Sequence, residues 1–360
     1  MKLSNEGEFG SKAVLWVLIS ILVYWGFSYI NAPDMKGYML FFKKISTDGW
    51  VLKSLRGTPA GNMEPGLFLI MQWCKKLNNS YFFFQAIMLS INVILAYFGL
   101  RKIYGSCKEA LVFILLFAVN ITFFMSAMRQ GVVIALFIFC IPLFVENKWK
   151  YYIPILILSI FFHQTAILLF PIPLIWYLCN KITDFHLQSG KWILLSVFIV
   201  CNICYFSGFS IGDLIESRFG RYVYDASVST TRTLRIGHSM EVSNFGILKV
   251  LELDVCFVIF FMSNLVEKNN YLKLIGGLVF VFFCMNMLVG GIIVHRINYY
   301  LQIPYYMALF ASLTSLFTIF LRLDIKLINS IIYCYMVFMF FLQTVSSSGY
   351  IFEYHLLDLL

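Results

Sequence analysis

Two apolar runs, 110–125 and 132–145, carry no charge, and between them lies Ser126-Ala127-Met128-Arg129-Gln130-Gly131. A fixed cation beside a bifunctional amide, at the joint of two membrane helices, is costly unless something anionic or polar meets it there. The arginine could snorkel to the headgroups; we read it instead as aimed at a phosphate-bearing lipid substrate. His163-Gln164-Thr165 interrupts the otherwise apolar stretch 153–170. A histidine in that position serves either as an interhelical hydrogen bonder or as a general base or donor to a phosphate oxygen.

Carboxylates come from a polar stretch nearer the N-terminus, which holds Asp34, Tyr38 and Gly61-Asn62-Met63-Glu64-Pro65-Gly66. Glu64 stands before a proline, a glycine and an apolar helix, so helix capping is one reading of it. The other is a carboxylate that binds a sugar or takes a proton from an acceptor hydroxyl. The segment 209–245 carries Arg218, Arg221, Arg232 and Arg235 among Tyr222, Tyr224 and a Ser/Thr run. Guanidinium groups suit diphosphate, because the planar fork makes two parallel hydrogen bonds. For Arg232 and Arg235 a solvated basic loop is the preferred reading. Finally, His295-Arg296-Ile297-Asn298-Tyr299-Tyr300 forms a polar knot between two apolar runs, where an arginine again calls for an anionic partner.

These residues need a scaffold, and the composition names its class. Of 360 residues, 61% are hydrophobic and 12% charged, with mean hydropathy +0.83. A soluble domain has no means of burying so much apolar surface, so the expected fold is all-α, a polytopic membrane domain over 1–360. The 38 Phe and 21 Tyr suit rings packed between helices and at interfaces. No secretory signal peptide is expected, because the polar start is followed by a run long enough to span. The net charge of +9 follows largely from lysine and arginine flanking the spans, and argues for neither nucleic acid nor an acidic soluble partner. Cys201-x-x-Cys204 has no second pair or histidine near it in sequence, so it is read as packing rather than metal binding.

Hydropathy places spans near 12–31, 81–100, 109–126, 131–146, 151–163, 165–180, 191–208, 246–266, 272–293, 297–320 and 326–345, within a range of 10–12. The stretch 65–74 is short for a span and reads as re-entrant or interfacial. For 151–179 a helical hairpin turning at His163 is preferred to one long span, because both its ends are basic. Basic residues then fall on one side: Arg101, Lys102 and Lys108, Lys148 and Lys150, Lys181 and Lys191, Lys268 and Lys273, Arg322 and Lys326. By the positive-inside rule that side is cytoplasmic. The loops 31–80 and 209–245, with Arg129, His163 and Arg296, are left outside.

Glu64-Pro65-Gly66, Met128-Arg129-Gln130-Gly131, Phe162-His163-Gln164-Thr165-Ala166 and Arg296-x-x-Tyr299-Tyr300 resemble, in order, the motifs of the EpsG-type branch of Wzy polysaccharide polymerases. The resemblance runs from about 30 to about 305. It implies an inner-membrane glycosyltransferase that takes a glycan from undecaprenyl diphosphate and joins it to another lipid-linked repeat unit at the periplasmic face. It also implies a GT-C-like fold, by analogy alone. Arg129 and Arg296 match motif arginines and His163 the motif histidine; Gln130 and Tyr299 fall within the same motifs. Arg218 and Arg221 match none and rest on their chemistry. The expected partners are lipid-linked donor and acceptor, membrane lipid and a chain-length regulator protein. No Asp-x-Asp occurs, so a metal-bound nucleotide sugar is not supported, and no metal or cofactor is expected. His163, Glu64 and Asp34 are the candidate catalytic groups.

Three other readings compete. An O-antigen ligase uses the same donor with lipid A core as acceptor, and only the motif pattern separates it. A flippase of lipid-linked oligosaccharide predicts repeats and polar residues open to both sides, which the sequence does not display. A membrane acyltransferase would pair its histidine with a carboxylate, and none adjoins His163 in sequence.

Overall fold

The computed structural model describes residues 26–29, 33–47, 64–104, 127–184, 188–208, 247–262, 270–289 and 291–320, with isolated positions 16, 20, 124, 211, 327, 331, 334, 353 and 354. Almost all of this is helix. A two-residue antiparallel bridge, Ser28–Tyr29 with Glu353–Tyr354, is the sole extended pairing among the described residues. The chain forms two compact units, Met1–Phe170 with Ser330–Leu360, and Pro171–Asn329.

The first unit contains α1 (Pro33–Lys44), α2 (Pro65–Leu77), α3 (Tyr81–Tyr104), α4 (Met128–Val145), α5 (Trp149–Phe162) and a 3-10 turn, Gln164–Leu169. Helix α4 is apolar on every face, and a helix of that kind belongs inside. Val133, Ala135 and Ile138 have no exposed surface at all. Its neighbours α3 and α5 pack against it on either side. Gly99 of α3 lies directly on the Ile138 carbonyl, so a side chain there would collide with backbone.

Helix α4 ends in a Schellman motif. The Asn147 N–H reaches Phe144 O at 3.0 Å, the Lys148 N–H reaches Leu143 O at 2.8 Å, and Asn147 takes the left-handed conformation at φ 56°. Here Glu146 accepts hydrogen bonds from Lys102 of α3 (2.8 Å) and Lys148 (2.7 Å), so a basic cluster marks this end of the unit. The other end of α4 begins at Met128-Arg129. Its 18 residues put about 27 Å between the two ends.

At that opposite end, α1 and α2 are locked together. The Lys75 ammonium donates to the carbonyls of Phe42 (2.8 Å), Lys43 (2.8 Å) and Ile45 (2.9 Å), where the last carbonyls of α1 lack helical partners. Gln72 adds a bond to Ser46 O at 3.1 Å. The ring of Phe42 packs on Tyr81 and Phe84 of α3. Helix α2 has 13 residues, short for a span as the stretch 65–74 led us to expect, and it is tied by Asn78 and Ser80 into the start of α3.

The second unit holds α6 (Ile172–Asp184), α7 (Gln188–Phe206), α8 (Ile247–Met262), α9 (Asn270–Cys284) continued by a π turn at Met285–Val289, and α10 (Gly291–Phe320). A ladder of rings, Phe198, Phe257 and Phe283, joins α7, α8 and α9. Asn202 of α7 donates to Asp254 of α8 at 3.1 Å, and Tyr305 of α10 donates to Glu252 of α8 at 2.7 Å.

Helices Tyr81–Ile103, Met128–Val145 and Asn270–Val289 are each long and apolar enough to cross a membrane. Large apolar side chains stand exposed along α5, α6 and α7, among them Phe161, Tyr177, Trp192 and Ile203. Faces of that kind suit lipid rather than water. The protein is therefore a helical membrane protein. The expected spans at 12–31, 109–126 and 326–345 lie largely outside the described residues.

Two boundaries differ from expectation. Arg129 and Gln130 lie in the first turn of α4 rather than ahead of it, and positions 295–300 lie within α10 rather than in a joint. Hydropathy averages over a window and ends a span at the first charge, whereas backbone hydrogen bonding does not stop there.

Candidate active site

The proline and glycine after Glu64 decide how α2 begins. Pro65 occupies the first helical position, where its missing N–H costs nothing. Gly66 sits so close to the end of α5 that a Cβ would come within 2.9 Å of the Phe161 carbonyl oxygen and 3.2 Å of the Phe162 ring. This close approach sets the start of α2 against the residues that lead into His163.

At His163 the helix stops. The residue is extended (φ −160°, ψ 130°), its N–H still bonded to Ser159 O at 3.0 Å and its own carbonyl accepting from Ala166 to open the 3-10 turn. Pro171 and Pro173 follow, and neither can donate to a continuing helix. One straight helix over 151–179 is excluded, and the break falls at the expected histidine.

Between the two sits the Glu64 carboxylate, 8% exposed as a residue. One oxygen, Oε1, lies 2.8 Å from His163 Nδ1; the other, Oε2, accepts from Arg129 Nη1 at 2.7 Å. The Arg129 Nε–H donates to the Tyr38 hydroxyl at 3.0 Å, and the guanidinium carbon lies 5.7 Å from the Tyr38 ring centre. Glu64 occupies the N-cap of α2, yet its side chain makes no cap hydrogen bond. The capping reading of its carboxylate is therefore overturned: the arginine and histidine have taken it.

The electrostatics follow. Burial by itself would raise the Glu64 pKa, but hydrogen bonds from His163 and Arg129, with the arginine's charge, outweigh it and hold the carboxyl at about 2 against an ordinary 4.5. An ionised carboxylate only accepts, so His163 Nδ1 carries the proton toward it. In a neutral imidazole Nε2 is then the basic nitrogen. Arg129 stands in the first turn of α4, where the helix dipole disfavours a cation, and Glu64 offsets that field. The guanidinium side chain is 32% exposed and the histidine 13%. The absence of a carboxylate beside His163 in sequence, which counted against acyl transfer, does not carry over to the fold: Glu64 supplies one from 99 residues away.

The other candidate residues are placed as follows. Asp34 is in the first turn of α1, with its side chain outside the described residues. Gln130 is buried at 4% exposure beside Arg129. Arg296 and Tyr299 are on α10 in the second unit; Tyr299 is half-buried, and the Arg296 side chain is outside the described residues, as are Arg218 and Arg221. Among the described residues no group of three or more His, Cys, Asp or Glu is placed to hold a metal ion.

Sequence reasoning passed over Asn286. It sits in the π turn and exchanges two amide hydrogen bonds with Asn298, at 3.1 and 2.7 Å, bracing the turn of α10 that carries Arg296 and Tyr299. A π turn beside a motif is a frequent mark of a functional site, but nothing in the sequence pattern announces it.

Together these features define a polytopic helical membrane protein with a partly buried Arg–Glu–His cluster at one end of its first unit. The chain belongs to the EpsG family, whose model matches residues 14–356. That membership makes it a polysaccharide-polymerase-like membrane protein, in a family associated with glycosyltransferase-like polymerases. No curated protein matches the chain, and no solved structure does.

Two expected results follow from this geometry. Gly66→Ala places a methyl group against backbone that has little room to move, so α2 must shift away from α5. A loss of about 1–3 kcal/mol is expected, read as a lower unfolding temperature in detergent.

The second concerns pH. The folded-state pKa of Glu64 is depressed, so its contribution to stability is complete above about 4.5 and is lost as pH falls toward about 2. Glu64→Gln should unfold at a lower temperature than wild type at neutral pH, with the gap narrowing below about pH 4.5. A gap independent of pH would show that ionisation of Glu64 contributes nothing.

Proposed function

We propose that this chain polymerises undecaprenyl-diphosphate-linked oligosaccharide repeat units at the periplasmic face of the bacterial inner membrane. The product would be an O-antigen or capsular polysaccharide. The observation that carries the reading is the Glu64 carboxylate bridging Arg129 and His163. It joins an anion-binding group to an oriented base through a carboxylate that is itself buried.

In the proposed reaction the diphosphate of the donor meets the Arg129 N–H groups not used by Tyr38 and Glu64. The acceptor sugar hydroxyl loses its proton to His163 Nε2 as its oxygen attacks the anomeric carbon. The bond from that carbon to the diphosphate breaks, and the electron pair leaves on the phosphate oxygen. Negative charge gathers there, where a preorganised guanidinium stabilises it more than water would. Glu64 holds the Nδ1–H tautomer and faces the imidazolium once it forms, the part a carboxylate plays beside a histidine base in hydrolases. Arg296, Tyr299, Arg218 and Arg221, in the second unit, are proposed to bind donor or acceptor in their own right, and Gln130 and Asp34 to lie near the first unit's cluster. A GT-C-like arrangement of 10–12 spans belongs to the same proposal.

The facing is supported by the separation of charge in the first unit. The Lys102–Glu146–Lys148 cluster and the Arg129–Glu64–His163 cluster lie at opposite ends of α4. If the basic end is cytoplasmic, the site is external. Cysteine labelling from outside should modify a residue placed near Arg218 and spare one placed at 181–191; the reverse pattern ends the assignment.

The activity is tested with the purified full chain in nanodiscs and a synthetic polyprenyl-diphosphate oligosaccharide. The expected products are a two-repeat glycan on lipid and a released polyprenyl diphosphate. Transfer only to lipid A core would make the protein a ligase, and movement of the lipid across the bilayer without transfer would make it a flippase.

A further inference from the structure

Tyr38 belongs to no motif of the sequence, yet its hydroxyl takes a hydrogen bond from Arg129 Nε at 3.0 Å while Glu64 takes one from Nη1 at 2.7 Å. A guanidinium offers anions two forks: a side fork made of Nε–H with Nη2–H, and an end fork made of Nη1–H with Nη2–H. Tyr38 occupies the Nε member, so the side fork is closed. Glu64 accepts from one of the two hydrogens on Nη1, which leaves one hydrogen on Nη1 and both on Nη2, and of these an Nη2–H faces the end edge.

We infer that Tyr38 is a positioning residue that closes the side edge of Arg129 and turns its end edge toward the diphosphate of the lipid-linked donor. The inference rests on the diphosphate reading given above and adds which edge of the arginine the ligand meets. The means of holding Tyr38 are structural. It is 4% exposed on α1, and α1 is fixed by Lys75, which ties its C-terminal carbonyls to α2. The same α2 begins at Glu64, so one pair of helices delivers both groups that constrain the guanidinium. The ring also lies within cation–π range of the guanidinium carbon, at 5.7 Å. Tyr38→Phe therefore removes the oxygen while keeping ring packing and that contact.

The test measures binding of farnesyl diphosphate, a soluble short polyprenyl diphosphate, to the purified full chain, alongside its unfolding temperature. Wild type should bind and Arg129→Ala should not. Tyr38→Phe should bind about 10–100-fold more weakly, the range for losing a hydrogen bond to a charged group, with its unfolding temperature unchanged. Wild-type affinity in Tyr38→Phe, with Tyr38→Leu unstable, would make the residue a packing element and overturn the proposal. So would weaker binding that comes only with a matching fall in unfolding temperature. If wild type itself binds no farnesyl diphosphate, the lipid-diphosphate reading fails and this inference fails with it. If wild type binds through Arg129 and Tyr38→Phe is unchanged, only the role of Tyr38 is lost.

Discussion

His163→Gln is expected to lose about 10²–10⁴-fold in single-turnover transfer, the usual cost of removing a general base, while binding of the lipid diphosphate survives. Glutamine can still donate to Glu64 through its amide, so the carboxylate keeps a partner and the local fold is spared. What it lacks is a basic nitrogen pointing away from Glu64. His163 Nδ1 is committed to the carboxylate at 2.8 Å, so in the proposed reaction the proton from the acceptor hydroxyl would go to Nε2. The measurement is transfer from a purified lipid-linked repeat unit, with donor binding followed separately. Near-wild-type transfer by His163→Gln would remove the base role. Glu64 would be a poor replacement, since both its oxygens are engaged and its pKa of about 2 leaves it weakly basic. Asp34 would then be the next group to test.

Arg129→Lys is expected to abolish polymerisation although the charge is kept. Arginine reaches Tyr38 through Nε and Glu64 through Nη1 at once, and still presents N–H groups to an anion. A lysine ammonium is a single compact centre, with neither the planar fork nor the reach to satisfy both partners and a diphosphate together. Glu64, 8% exposed, would be left with weaker compensation, and a poorly paired buried carboxylate costs more than the ~1–3 kcal/mol of a neutral group left unpaired. Loss of leaving-group stabilisation adds a further ~10²–10³-fold in rate. Polymer ladders from a deletion strain carrying the variant read the result. Normal ladders would show that a point charge suffices, and the forked-clamp role would be withdrawn.

The sequence by itself determined the class of the protein. With 61% hydrophobic and 12% charged residues, the chain has few options but apolar helices, because each backbone group in lipid must find its partner within the helix. It also picked out Arg129 and His163. Charge and imidazole in apolar runs are costly, and that cost is visible in one dimension. Glu64 was visible too, but its purpose was not. Its proline and glycine neighbours point equally to a helix start, and local pattern gives no reason to send the carboxylate elsewhere.

Only the tertiary structure decided that Glu64 meets Arg129, 65 residues away, and His163, 99 residues away. The pairing depends on Gly66 resting against Phe161 and on α1, α2 and α4 converging at one end of the unit. Side-chain hydrogen bonds act over about 3 Å, and no spacing rule along a chain encodes which distant segments will come that close. For the same reason Asn286 was passed over and Tyr38, though singled out, had no assigned role: a tyrosine or an asparagine in sequence does not name its partner, and packing does.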